Sequence, residues 1–171
     1  MKKILSLVDD IYEDLELWYP KIRLEEEGWT VTVAGPEANR TYKGKHGYPC
    51  PAGTDIADVE SADYDALLVP GGFAPDKLRR DANVLRLVRE FHEQNKPIAF
   101  ICHAGWILIS AGILKGRKAT STIGIKDDMA NAGCIWVNEA LVVDGNLISS
   151  RTPADLAVFA KAFVDAIRAR A

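Results

Sequence analysis

Short apolar runs alternate with helical patterns along most of the sequence, and this alternation restricts the fold more than any other feature. The run at 4–8 consists almost entirely of β-type apolar residues, which is typical of a strand covered on both faces. Similar runs occupy 64–69 and 98–101, and residues 15–22 carry an apolar stripe at helical spacing. The alternation predicts an α/β fold whose mainly parallel sheet has helices on both faces.

Local signals predict how several elements begin, end and connect. Pro20 lies inside the first helical stripe, so we expect a kink or a fresh helix start there. Residues 41–59 are rich in Gly, Pro and Lys, which favours a hairpin or an irregular arm. We expect a helix over 75–95, and Asp144-Gly145 predicts a hairpin turn. Thr152-Pro153 predicts an N-cap followed by proline in the first turn of the last helix.

Length and charge exclude several classes of protein. A chain of 171 residues favours one domain, 1–171. On folding it buries roughly 70% of its unfolded surface, so it needs no disulfide or metal to stay folded. The 21 basic and 24 acidic residues give a net charge of −3, which disfavours a nucleic-acid partner because phosphate binding needs a basic face. No apolar run approaches the ~20 residues that cross a bilayer, so we expect no membrane partner.

The cysteine content indicates a compartment. The sequence has three cysteines without a C-x-x-C pair. The apolar run after Lys3 is too short for an export signal and ends at Asp9 without a small-residue cleavage site. An odd number of cysteines without an export signal is typical of a reducing cytoplasm. We therefore expect a cytoplasmic protein in which one cysteine can serve chemistry.

Cys102 occupies the position best suited to that chemistry. It follows a buried strand pattern and precedes a helix, which is the setting of a nucleophile elbow above a sheet. The helix N-terminus favours the thiolate, and His103 adds a neighbour that can exchange a proton. The alternative is an inert, buried cysteine, which is the commoner state of a cytosolic thiol. We interpret Cys50 as a loop thiol and Cys134 as a core residue.

Outside Cys102 and His103, few residues are candidates for a functional site. Pro70-Gly71-Gly72 follows a strand pattern and can offer backbone N–H groups to an anionic oxygen, although an ordinary glycine turn has the same sequence. We interpret His92 as a surface residue, and for His46 we favour a turn over a site. The three histidines lack the spacing of metal ligands. With no G-x-G-x-x-G after a strand and no Walker loop, we predict neither a metal nor a cofactor.

Seven segments, each unspecific alone, are together highly specific. They are YEDLEL (12–17), GKHGY (44–48), LVPGGFAPD (68–76), ICH (101–103), LISAG (108–112), GIKDD (124–128) and SSRTPADL (149–156). With them the sequence resembles the PfpI/ThiJ family, part of the wider superfamily of class I glutamine amidotransferases, over nearly its whole length.

The resemblance implies a flavodoxin-like three-layer sandwich with Cys102 as the nucleophile. It implies that Glu13 approaches Cys102 and, as a protonated carboxyl, hydrogen-bonds the thiolate, which needs a pKa raised by burial. It further implies oxyanion-hole amides at Gly71 and Gly72, and a general acid or base at His103. Similar family members are cytoplasmic dimers or hexamers built from dimers, so we expect a homodimer or a hexamer of dimers.

The sequence departs from the family pattern at two places. Peptidase-type members complete a Cys-His-Glu triad with a glutamate of a neighbouring subunit. The matching residue here is Asp76, which is one methylene shorter but can still orient an imidazole. The usual His-Gly-Pro-Gln after the nucleophile is HAGW at 103–106, and Thr122-Ile123 stands where an aromatic-proline pair is common. Both changes lie near the expected pocket and bear on the substrate class.

The resemblance predicts a cysteine-dependent hydrolase of the PfpI type. It implies an intracellular peptidase, a glyoxalase or a deglycase, which acts on a small carbonyl or peptide substrate through the Cys102 thiolate. These reactions share one nucleophile, and the sequence does not separate them. The alternative is a non-enzymatic redox sensor or chaperone that uses an oxidisable Cys102.

Overall fold

A seven-stranded sheet lies at the centre of the computed structural model, which describes residues 1–170. Its strand order is β10-β11-β7-β6-β1-β2-β5, and every pair is parallel except β10 with β11. The β3–β4 hairpin and the parallel β8–β9 pair lie outside it. The strands are β1 Lys3–Leu7, β2 Thr30–Gly35, β3 Arg40–Lys43, β4 Pro49–Ala52, β5 Thr54–Asp55, β6 Ala66–Val69, β7 Ile98–Ile101, β8 Lys118–Ala119, β9 Ile135–Trp136, β10 Val142–Asp144 and β11 Leu147–Ser150.

Helices cover both faces of the sheet, because successive side chains of its buried strands point to opposite sides. On β7, Ile98 and Phe100 join a core cluster with side chains of α3 and α4, whereas Ala99 and Ile101 join a second cluster with α6. This confirms the predicted sandwich. The helices are α1 Asp14–Glu26, α2 Ala74–Leu78, α3 Ala82–Glu93, α4 Gly105–Ala111, α5 Lys126–Asn131 and α6 Leu156–Arg168.

Two hairpin predictions are confirmed, and three helix predictions need correction. Residues 41–59 contain the β3–β4 hairpin, and Asp144-Gly145 connects β10 to β11. Of the two alternatives expected at Pro20, a kink or a fresh helix start, the fresh start is wrong, because α1 runs through this buried proline. An interior proline costs about 3 kcal/mol, which the burial of neighbouring apolar side chains offsets.

The other two corrections concern helix ends. The single helix expected over 75–95 is two helices, because Asp81 ends the first segment and caps α3 by accepting a hydrogen bond from Asn83 N at 2.8 Å. Thr152 does precede a helical turn, Pro153–Asp155, but its side chain makes no capping hydrogen bond.

The strand order brings three loops together at one edge of the sheet. β6 pairs with β7 in parallel, with Val69 opposite Phe100, and β1 lies on the other side of β6. The carboxyl ends of β6, β7 and β1 therefore place Gly71, Cys102 and the segment before α1 side by side, where open α/β sheets bind ligands. Among residues 1–170, no helix has the length and apolar composition needed to cross a bilayer.

Candidate active site

Cys102 stands at a strained turn between β7 and α4. Its φ of 62° lies in the left-handed region, which costs a non-glycine residue roughly 1–2 kcal/mol. Thr122 N donates to the Cys102 carbonyl at 3.2 Å and helps to hold the turn. The side chain is partly exposed. This is the elbow geometry that the sequence predicted, with the sulfur above the end of the sheet.

The His103 imidazole and two backbone N–H groups act on the Cys102 sulfur. Cys102 Sγ lies 3.2 Å from Nδ1 of His103. Burial, followed by the charge that Glu16 carries once it is ionised, raises the pKa of Cys102 to about 12, and the backbone N–H groups of Gly72 and His103 act in the opposite direction. Hydrogen bonds to the charged form favour it, so these two amides stabilise a thiolate when it forms.

Glu16 is a fully buried carboxyl beside the thiol, with 0% of its surface exposed. Its Oε2 accepts a hydrogen bond from Gly71 N at 2.8 Å, and its Oε1 is buried without a hydrogen-bond partner within residues 1–170. Burial, with the nearby Glu13 charge second, raises the pKa of Glu16 to about 8. The carboxyl therefore keeps its proton at neutral pH, so its charge does not oppose the neighbouring thiolate.

The structure corrects the role expected of Glu13. This residue is the N-cap of α1, where Glu16 N donates to its Oε2 at 2.9 Å, and its Oε1 lies 3.7 Å from His46 Nε2. The carboxyl beside Cys102 is that of Glu16, which follows Glu13 by about one helical turn. Both acids occur in the segment YEDLEL, three residues apart, and the position of the helix start decides which one caps and which one faces the sheet end.

Gly71 and Gly72 allow the loop after β6 to approach the thiol closely. A Cβ on Gly71 would lie 2.4 Å from Glu16 Oε2 and 2.7 Å from Cys102 Cβ. Gly72 has a φ of 81°, which favours glycine. The expectation of two oxyanion amides needs correction, because Gly71 N already donates to Glu16. The Gly72 amide stays directed at the sulfur.

His103 stands on the open side of the sulfur between two aromatic rings. Its ring centroid lies 5.8 Å from that of Phe73 and 5.0 Å from that of Trp106. Burial, with the charge of Lys45 second, lowers the pKa of His103. No carboxylate within residues 1–170 forms a hydrogen bond or ion pair with it. Asp76 pairs instead with Arg80 on the exposed side of α2, so a single chain does not bring Asp76 to His103.

Asp14 holds the loop that borders the site. Its two carboxylate oxygens accept hydrogen bonds from His46 N and Tyr48 N, each at 2.9 Å. Glu13, Asp14 and His46 bring one ligand-type atom each within 4.8 Å of one another, an arrangement that the sequence spacing did not predict. Both oxygens of the Asp14 carboxylate therefore accept backbone hydrogen bonds, which fix this loop beside the start of α1.

The remaining cysteines are buried and chemically quiet. Cys134 is a buried core residue, as predicted. Cys50 lies on β4 and is fully buried, which corrects its interpretation as a loop thiol. Burial raises the pKa of Cys50 to about 11 and also raises that of Cys134. Of the three cysteines, only Cys102 is partly exposed.

The chain is similar to known proteins over most of its length. A model described as the DJ-1/PfpI family matches residues 2–166. The chain is 46% identical over 166 residues to the protein named Deglycase PH1704 from Pyrococcus horikoshii, covering 97% of this chain and 99% of that one. It is 41% identical over 158 residues to the putative cysteine protease YraA from Bacillus subtilis, covering 92% and 94% of the two chains.

A solved structure extends the match to three dimensions. A two-domain protein from Anabaena variabilis, containing dj-1/thij/pfpi-like and ferritin-like domains, superposes with a TM-score of 0.95 at 43% identity. The match covers 96% of this chain and 48% of that protein, so this chain spans about half of it. Together with the family match over residues 2–166, this confirms the resemblance drawn from the motifs: the chain belongs to the DJ-1/PfpI family.

Proposed function

We propose that the chain is a cysteine-dependent hydrolase that acts as a glyoxalase or deglycase on small carbonyl compounds through Cys102. One observation carries the proposal: the Cys102 sulfur lies 3.2 Å from His103 Nδ1 and beside the buried carboxyl of Glu16, and the backbone amides of Gly72 and His103 favour its thiolate form. The relative from Pyrococcus horikoshii, named a deglycase, supports this reaction class.

The first step joins the sulfur to an aldehyde carbon. His103 Nδ1 takes the thiol proton, and the sulfur electron pair forms the C–S bond. The carbonyl π electrons move to oxygen, where the amides of Gly72 and His103 can stabilise the developing negative charge. The proton returns from His103 to this oxygen and completes a hemithioacetal.

The following steps release a hydroxy acid. His103 removes the proton from the former aldehyde carbon of a 2-oxoaldehyde and returns it to the neighbouring carbon. The hydroxyl proton on the former aldehyde carbon moves to the oxygen of that neighbouring carbon, which leaves a 2-hydroxy thioester. Water then adds to the thioester carbon, the C–S bond breaks, and the sulfur leaves as the thiolate and regains a proton. The balance is one aldehyde plus one water to one 2-hydroxy acid. Glu16, protonated beside the sulfur, adds no charge that would oppose its departure.

Peptide hydrolysis is the second candidate function, because the relative from Bacillus subtilis is named a putative cysteine protease. Cys102 would then attack a scissile carbonyl, and His103 would protonate the leaving amine. A fluorogenic peptide assay in parallel with the aldehyde assay distinguishes the two reactions. A redox sensor or chaperone, by contrast, would react at Cys102 once without turnover.

We also propose that the chain self-associates as a homodimer or a hexamer of dimers in the cytoplasm. An apolar groove of about 510 Å³ lies between α1 and the loop that carries His46 and Tyr48, and at least half of the surface of Leu15, Ile22 and Tyr48 on its walls is exposed. Three free cysteines support the compartment, since oxidising compartments pair thiols. Light scattering at micromolar concentration tests the assembly, and a monomer of 18.8 kDa would contradict it.

The deciding experiment measures methylglyoxal consumption and lactate formation by the purified chain without added glutathione. The wild type should turn over many times, and Cys102→Ser should show only the uncatalysed rate. Cys134→Ser is the matched control, because it removes another thiol that lies away from the site. If the wild type and Cys102→Ser behave alike, the glyoxalase or deglycase proposal fails.

A further inference from the structure

We propose that Trp106 is a positioning residue for His103, and that its indole face stabilises the imidazolium formed when His103 takes the Cys102 proton. The inference rests on the proposed function. The indole and imidazole centroids lie 5.0 Å apart at an interplanar angle of 49°. Phe73 contacts the imidazole as well, at 5.8 Å, so the ring has aromatic neighbours from both α4 and the loop before α2.

The orientation of Trp106 is fixed by Asp128 of α5 and by Arg79, the residue that follows α2. Trp106 Nε1 donates to Asp128 Oδ2 on α5 at 2.9 Å. The Arg79 guanidinium lies 5.8 Å from the indole centroid, and Arg79 Nε donates to Ser110 Oγ on α4 at 2.9 Å. Trp106 itself follows Gly105, where a Cβ would come within 2.6 Å of Met129 Sδ, so α4 and α5 are closely packed. Because the orientation of the Trp106 indole is fixed in this way, the indole can fix the orientation of the His103 imidazole.

The positive charge of the His103 imidazolium needs a stabilising group nearby. Within residues 1–170, His103 has no carboxylate partner that would stabilise a positive charge. Lys45 disfavours that charge, as does burial. The other charged or titratable groups beside the two rings are Cys102, whose Sγ lies 3.2 Å from His103 Nδ1, Arg79 at 5.8 Å from the indole centroid, and Asp128, which accepts the indole hydrogen bond. The negative face of an aromatic ring attracts a cation, so Trp106 opposes the effect of Lys45.

Two substitutions at one position separate this role from simple packing. Trp106→Phe keeps an aromatic face, whereas Trp106→Leu keeps an apolar side chain without one. We expect Trp106→Leu to lower the pKa of His103, measured by NMR titration. We also expect it to lower kcat about tenfold, equivalent to about 1.4 kcal/mol, with KM changed much less. Trp106→Phe keeps the aromatic face but loses the hydrogen bond to Asp128, so it should fall between the wild type and Trp106→Leu in both measurements.

Controls keep the test independent of folding and of the proposed reaction. Trp29→Leu removes a partly buried tryptophan that packs on the α6 side of the sheet, and it should leave the pKa of His103 unchanged. The inference is overturned if Trp106→Leu and Trp106→Phe give the same His103 pKa, or if Trp106→Leu raises only KM. The titration uses no substrate, so a wild type that does not consume methylglyoxal refutes the proposed function without deciding this inference.

Discussion

The two sides of the Cys102 sulfur differ in how they are built. On the inner side, Glu16 is 0% exposed and is fixed by the Gly71 amide. On the outer side, His103 is partly exposed and is flanked by aromatic rings, of which Phe73 is 55% exposed. The inner side is held by backbone contacts that admit little change, whereas the outer side is held by the side chains of Trp106 on α4 and Phe73 in the loop before α2.

This difference separates two roles in the proposed chemistry. A buried carboxyl with a raised pKa keeps its proton and leaves the thiolate unopposed. A histidine at the mouth can exchange protons with the sulfur and with a substrate. Changes on the inner side should therefore affect folding and every reaction of the thiol, and changes on the outer side should affect mainly the proton transfers. The following predictions test that separation.

The largest effect is expected from Gly71→Ala. The new Cβ would lie 2.4 Å from Glu16 Oε2, 2.7 Å from Cys102 Cβ and 2.8 Å from the Ile101 carbonyl oxygen. Because one of these atoms belongs to the backbone, we expect the free energy of unfolding to fall by about 3 kcal/mol or more. The Tm should fall by roughly 6–12 °C. Alkylation of Cys102 by iodoacetamide should also change.

Gly53→Ala is the control for that measurement, because a Cβ there meets nothing within 4 Å. Its Tm should stay within about 2 °C of the wild type, which corresponds to less than 1 kcal/mol. If Gly71→Ala were as stable and as reactive as Gly53→Ala, the close packing described for the inner side would be wrong.

Glu16→Gln should make stability less dependent on pH. In the unfolded chain Glu16 ionises above its ordinary pKa of 4.5, but in the folded chain it keeps its proton up to about pH 8. The folded state therefore binds more protons in this window, so the stability of the wild type falls as pH rises through it. The amide does not titrate, and Glu16→Gln should gain about 3–4 kcal/mol over the wild type between about pH 5 and pH 8.

Urea unfolding at several pH values measures that difference. Glu25→Gln on the same helix is the matched control, since Glu25 lies at the surface and pairs with Lys21. It should follow the wild type closely, because exposed ion pairs contribute less than about 1 kcal/mol. Parallel pH dependences for Glu16→Gln and the wild type would show that Glu16 is ionised when folded.

The sequence predicted the backbone of the site better than its side-chain partners. The strand-to-helix position of Cys102 and the glycines after β6 follow from local patterns, and the strand order then brings them together. Glu16 was missed, because both acids of YEDLEL suit a helix start and only the first helical residue decides which one is buried. The contact of Trp106 with His103 depends on how α4, α5 and α2 pack, which no local pattern encodes.

The smallest effect on stability is expected from Asp76→Asn. Asp76 and Arg80 form an exposed pair four residues apart, so breaking the pair from either end should change the free energy of unfolding by less than about 0.5 kcal/mol. Activity separates the two variants. If Asp76 of a second copy orients His103, Asp76→Asn lowers kcat in the assembled protein, whereas Arg80→Gln does not. Dilution below the concentration at which the chains assemble then removes the difference in kcat between Asp76→Asn and the wild type. If both variants have the same kcat in an assembly confirmed by light scattering, Asp76 does not orient His103, and the aromatic rings alone hold the imidazole on the outer side of the sulfur.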